Sequence, residues 1–143
     1  MRIVLVLGLL ALAGCGSDRS ESLPAACTEG PAAVMKALAS APAAVTIDGT
    51  PISRCFNRDA PGDDVQVVGT TLLSAAQQLG DRARDGDEQA ALQLGYLVGA
   101  ARKGAKRNGL AAEMIRRLDA ETTGLGGGRT AYKRGLRAGS ARG

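Results

Sequence analysis

The sequence predicts a mainly α fold, a small helical domain of about four helices with one short β-hairpin near residues 45–55. Three observations lead there. Apolar residues make up 45% of the chain but aromatic residues only 2%, with Phe56, Tyr96 and Tyr132 the whole set and no Trp. A core built from Ala, Leu, Val and Ile suits closely approaching helices. Val65, Val68, Leu72, Ala76, Leu79 and Ala83 recur at the three- and four-residue spacing of one helix face. Asp48-Gly49 stands between two β-branched segments; a type I′ hairpin turn favours that pair because both central residues take positive φ.

At 143 residues the chain supports one domain behind a targeting segment. Met1 and Arg2 are followed by an apolar run from Ile3 to Leu12. That run is short of the about 20 residues needed to span a bilayer, and residues 1–14 fit a cleaved secretory signal. Leu12-Ala13-Gly14-Cys15 resembles the lipobox of bacterial lipoproteins. The resemblance implies that the Cys15 thiol receives a diacylglycerol, that cleavage falls just before it, and that the new amino terminus is open to acylation. Residues 15–26 would then tether the domain to the cell membrane or outer membrane, facing the extracytoplasmic side. Gly16 stands where Asp would favour retention in the inner membrane. Ala11-Leu12-Ala13 also satisfies the small-x-small rule of an ordinary signal peptidase, but the cysteine count argues against a soluble product. Cys15, Cys27 and Cys55 are three thiols, an odd number for an exported protein. Lipidating Cys15 leaves Cys27 and Cys55 to pair, a staple that contributes about 3.6 kcal/mol by loop closure.

The disulfide-stapled helical domain is expected over 27–121. Gly30-Pro31 opens a first helix, with Ala33, Val34, Leu38 and Ala41 on its apolar face. The hairpin follows, its second strand kept short or at an edge by Pro51, which has no N–H to donate. Asp63 with Gln66 three residues on reads as a capping box for a helix reaching to about residue 84. Asp85 or Asp87 caps the next, which runs to about Arg107 and is apolar nearly all round over residues 90–101, the mark of a buried central helix. It contains Gly95-x-x-x-Gly99. Since interior glycines cost about 1 kcal/mol each, a close helix neighbour is expected, and the helix over 64–84 is the nearest candidate. Asn108-Gly109 supplies a turn, and a last helix runs from Leu110 to about Glu121 with Ala111, Met114, Ile115 and Leu118 inward. Thr122 to Gly128 reads as a glycine-rich linker. Residues 129–143 are a basic tail that forms one short helix or stays disordered.

Chemistry-bearing motifs are sparse. The chain has no His, so it lacks the usual neutral-pH proton shuttle and the commonest metal ligand. No metal set and no cofactor motif can be read. Gly126-Gly127-Gly128 has neither the preceding strand nor the Gly-Lys-Ser/Thr of a phosphate loop. Asp63 and Asp64 suit capping better than acid-base work. Charge is the main functional signal. From Cys15 to Gly99 six Lys or Arg face eleven Asp or Glu, and from Ala100 to Gly143 eleven face three, giving net charges of −5 and +8. Arg129, Lys133, Arg134 and Arg137 in the basic tail are the candidate contacts to an anionic surface, such as anionic lipid or an acidic wall polymer. Nucleic acid is disfavoured by the export signal and by the absence of interleaved aromatics. Two function classes remain: a non-enzymatic binding or structural module of the cell envelope, with an envelope protein as a further partner class, and a small extracytoplasmic hydrolase using carboxylates such as Glu88 or Glu113. The first is favoured, because no paired acids, nucleophile with base or metal cluster can be recognised.

Overall fold

The computed structural model describes residues 23–56, 62–105 and 110–143. The fold is mainly α with one two-stranded hairpin. Its helices are α1 (Pro31–Leu38), α2 (Gly62–Arg84), α3 (Glu88–Gly104), α4 (Leu110–Ala120) and α5 (Arg129–Arg142). Short 3-10 turns cover Ala25–Thr28, Ile52–Phe56 and Gly126–Gly128, and the strands are β1 (Thr46–Ile47) and β2 (Thr50–Pro51).

At the front end the local sequence signals are obeyed. Gly30 takes φ 92° just before Pro31 opens α1, and Val34 and Leu38 point into the core. Asp48 and Gly49 sit at φ 46° and 75°, as a type I′ turn requires, with Thr46 paired to Pro51 and Ile47 to Thr50. Cys27 and Cys55 form a disulfide with a Cα separation of 5.4 Å, tying the first 3-10 turn to the second. Residues 23–26, placed in the tether by the sequence, include two core residues. Leu23 and Ala26 are buried in the core, because the apolar side chains flanking Cys27 are drawn in with it.

α2 begins at Gly62, so Asp63 and Asp64 occupy its first turn. There their charge complements the helix dipole, and neither is the capping residue that the sequence suggested. Val68, Leu72, Ala76, Leu79 and Ala83 are all buried. Asp87 is the cap of α3, its side chain accepting from the Ala90 N–H at 2.9 Å. From Ala90 to Ala101 every residue of α3 is buried. The Tyr96 hydroxyl, fully enclosed, accepts the Val45 N–H at 3.0 Å and so joins α3 to the approach of the hairpin.

The carboxyl end departs from expectation. Residues 129–142 are a full helix, and α3 against α5 is the most extensive contact in the molecule. Gly95 and Gly99 therefore face α5 and not α2. A Cβ on Gly95 would fall inside 3.0 Å of the Tyr132 carbonyl and the Leu136 nitrogen, and one on Gly99 would do the same to the Leu136 carbonyl and the Ser140 nitrogen. The relation is reciprocal: Gly135 abuts the Leu92 carbonyl and Gly139 the Tyr96 carbonyl. Contacts advance together along both helices, so α3 and α5 run parallel. At this approach backbone packs on backbone, and weak Cα–H···O contacts at such spacings contribute about 0.5–1 kcal/mol each. Residues 122–128 are correspondingly no free linker. Leu125 is buried, and Gly128 abuts the Ala91 side chain.

Gly135→Ala is expected to destabilise the domain by about 1–3 kcal/mol through overpacking, even though Ala is the better helix former by about 1 kcal/mol. Gly127→Ala, where a Cβ meets nothing within 4 Å, should stay within about 0.5 kcal/mol of the parent. Urea unfolding of the two variants side by side makes the comparison. Replacing both Cys27 and Cys55 by Ser should lower the unfolding free energy by about 3.6 kcal/mol, reflecting release of a crosslink of sequence separation 28. An unchanged urea midpoint would refute that contribution.

Candidate functional site

The four cations singled out in the sequence lie on α5, and the glycine seam decides where they point. Residues 131, 135, 139 and 143 are buried against α3. With 3.6 residues per turn, Arg129, Lys133, Arg137 and Arg134 fall on the opposite side within an arc of about 140°. All four are exposed. α5 contains no carboxylate, and among the described residues none of the four has an ion pair or hydrogen-bond partner.

Neighbouring charges are largely used inside the fold. Arg116 and Arg117 both bind Glu113, at 2.7 and 2.8 Å, and Arg102 binds Asp119 at 2.8 Å. Arg84 approaches Glu121 at 3.8 Å and Asp81 at 2.6 Å. Each of the three acids in the carboxyl-terminal third is thus engaged by a cation on α2, α3 or α4. Lys103 donates to the Ala141 carbonyl at 3.0 Å and Arg142 to the Pro42 carbonyl at 2.8 Å. These contacts fasten the end of α5, and the Lys103 charge complements its dipole there. Among the described residues, the outer face of α5 carries four cations without an acidic partner.

The carboxylates named as hydrolase candidates do not converge. Glu88 is exposed in the first turn of α3. Glu113 lies on α4, where hydrogen bonds from Arg116 and then Arg117 lower its pKa to about 2. A carboxylate so stabilised in its ionised form is a poor proton donor or acceptor at neutral pH. The structure does bring together one carboxyl pair that the sequence did not reveal, Glu29 and Asp48. Hydrogen bonding to Asp48, and then repulsion from its charge, raise the pKa of Glu29 while Lys36 opposes the shift. The pair is exposed, at the edge of a broad open hollow of about 420 Å³ that Lys36, Ser40 and Thr46 also line. The two are 19 positions apart in sequence, and the return of the hairpin beside α1 makes them neighbours.

A second open hollow, about 410 Å³, lies between α2 and α4 and is lined by Val65, Gly69, Leu73, Met114, Glu113 and Arg117. Nearby Val67 is the one large hydrophobic side chain exposed among the described residues. Also among the described residues, no three His, Cys, Asp or Glu side chains are grouped so as to hold a metal ion, and no helix is long and apolar enough to cross a membrane. Cys15 and the lipobox lie outside the described residues.

Comparison of the chain with protein-family models, with curated proteins and with solved structures finds no match.

The two shifted glutamates act in opposite directions on stability. Glu113, with its pKa lowered from 4.5 to about 2, contributes stability that is complete above 4.5 and lost as pH falls towards 2. Glu29, with a raised pKa, contributes stability that is present below 4.5 and lost as pH rises through its folded value. The stability difference between the parent and Glu113→Gln should therefore shrink on acidification from pH 4.5 to 2. Glu29→Gln should instead gain on the parent as pH rises above 4.5. Chemical denaturation of the three proteins across this range reads both slopes, and pH-independent differences would contradict the assignments.

Proposed function

We propose that the protein is a lipid-anchored extracytoplasmic module of the bacterial cell envelope, attached through Cys15 and acting by binding or scaffolding rather than by catalysis. The observation that carries this reading is Leu12-Ala13-Gly14-Cys15 behind a short apolar segment, together with the cysteine count. Because Cys27 and Cys55 are bonded to each other, Cys15 is the odd cysteine, free for acylation. A disulfide between the other two is also consistent with an oxidising, extracytoplasmic setting. One acyl chain holds a protein only marginally and two hold it stably, so a diacylglyceryl Cys15 would anchor the domain without further help.

A non-enzymatic role is supported by what the folded domain presents. The carboxylates nearest to a paired arrangement, Glu29 and Asp48, are open to water. They lack the burial that tunes a catalytic acid. The broadest chemically uniform feature is a cation-bearing helix face, which suits recognition of an anionic surface. The cell membrane or the outer membrane would be the site of anchoring, with the domain on the extracytoplasmic side.

Intact mass of the protein purified from membranes tests the anchor. The expected product begins at Cys15 and carries a diacylglyceryl adduct with or without an added amide-linked acyl chain, and Cys15→Ala should be found without lipid and uncleaved at this site. An unmodified chain beginning at Gly14 would overturn the proposal.

A further inference from the structure

We propose that the outer face of α5 is a second, electrostatic contact with the membrane, docking on anionic lipid headgroups of the anchoring leaflet and fixing the orientation of the domain. The proposal rests on the lipid-anchor reading, which brings that surface within reach, and adds to it a specific face and partner. Leu23, the first of the described residues and a buried one, lies eight positions after Cys15. Such a segment spans at most about 29 Å when fully extended. The lipid surface is thus held continuously near the domain, and even a weak contact is populated as an intramolecular one.

The geometry favours a plane over an enclosed ligand. Arg129, Lys133 and Arg137 follow one another along about 12 Å of helix axis, with Arg134 beside them. The face they share is the convex outer side of a single helix. Long Lys and Arg stems can bring charges from such an arc to one level. No aromatic or large aliphatic side chain accompanies them on this face: Tyr132 and Leu136 are partly buried and packed against the core. Contact is therefore by charge and not by insertion. Because α5 sits on α3 backbone to backbone, the four cations move with the rigid body, and docking them docks the whole domain. Arg142 and Lys103 are already committed to carbonyls of Pro42 and Ala141, and Arg102 to Asp119, so among the described residues of α3 and α5 the contact falls to the four.

The test uses the full processed protein, reconstituted in vesicles of phosphatidylcholine alone or with phosphatidylglycerol, and a water-soluble amine reagent. Lys133 reports on the face and Lys36, on α1, is the internal control. Lys133 should react several-fold more slowly than Lys36 only on the anionic vesicles, and high salt should abolish the difference, since exposed charges are screened over about 8 Å already at physiological salt. The triple variant Arg129→Gln, Arg134→Gln, Arg137→Gln keeps Lys133 as probe. It should lose the protection, each cation accounting for roughly five-fold in partition to an anionic surface, while its circular dichroism stays that of the parent. Equal reactivity on neutral and anionic vesicles would overturn the proposal. So would protection of Lys133 by a soluble acidic polysaccharide but not by anionic lipid, which would reassign the face to a wall polymer. Failure of the anchor itself appears separately, as a purified protein without acyl mass. The same Lys133 to Lys36 ratio, measured with that protein added to vesicles, then still decides whether α5 recognises anionic lipid.

Discussion

The close approach of α3 and α5 is the constraint on which the rest of the structure depends. Four interior glycines, Gly95 and Gly99 on one helix and Gly135 and Gly139 on the other, each lie where any side chain would strike the backbone of the partner helix. Glycine is a poor helix former, so these positions weaken each helix taken alone. Together they allow two parallel helices to pack at a separation that larger residues would forbid. In a chain with 2% aromatic residues, this is how a small domain recovers packing density: it brings backbones together where bulky side chains are lacking. α4 provides the return segment that a parallel pair requires, and the turn over residues 121–128 is pinned by Leu125 and Gly128 so that α5 enters in register.

The same seam organises the electrostatics. Small residues recur every fourth position on one side of α5, leaving the other side for Arg129, Lys133, Arg134 and Arg137. Packing and charge are thus two faces of one helix, and the first holds the second in place. Acids in the carboxyl-terminal third are occupied by cations on α2, α3 and α4, which leaves the charge of α5 uncompensated among the described residues. At the opposite end of the chain the Cys27–Cys55 disulfide and the Tyr96 hydroxyl on the Val45 N–H perform a comparable task. The disulfide joins the two 3-10 turns to each other, and the hydroxyl joins the approach of the hairpin to the central helix.

Local signals made most of the fold legible. The Asp48-Gly49 turn, Pro31 at the start of α1, the capping Asp87 and the apolar face of α2 each act within a few residues, and each predicts its element. The cation cluster was also legible as composition. Less could be read about which elements meet. The partner of Gly95 and Gly99 was expected to be α2, the nearest candidate in sequence. The missed signal was the spacing Ala131, Gly135, Gly139, Gly143, a small-residue stripe matched in period to that of α3. The Glu29 and Asp48 pair had no sequence signal at all, since it depends on how the hairpin folds back beside α1.

What the sequence by itself determined was the helical class, the hairpin and its turn, the cysteines available to pair and the location of the excess positive charge. These follow from residue-level chemistry: backbone preferences, periodicity, capping and charge, which act over one or two helical turns. Only the tertiary structure decided that α5 is an ordered helix parallel to α3, that its cations form a rigid outward face, and that Glu113 is held between two arginines as an ionised carboxylate. The physical reason is that glycine is ambiguous in one dimension. It marks a flexible segment when nothing approaches it and a tight interface when a backbone does, and that difference lies in the distance to another helix.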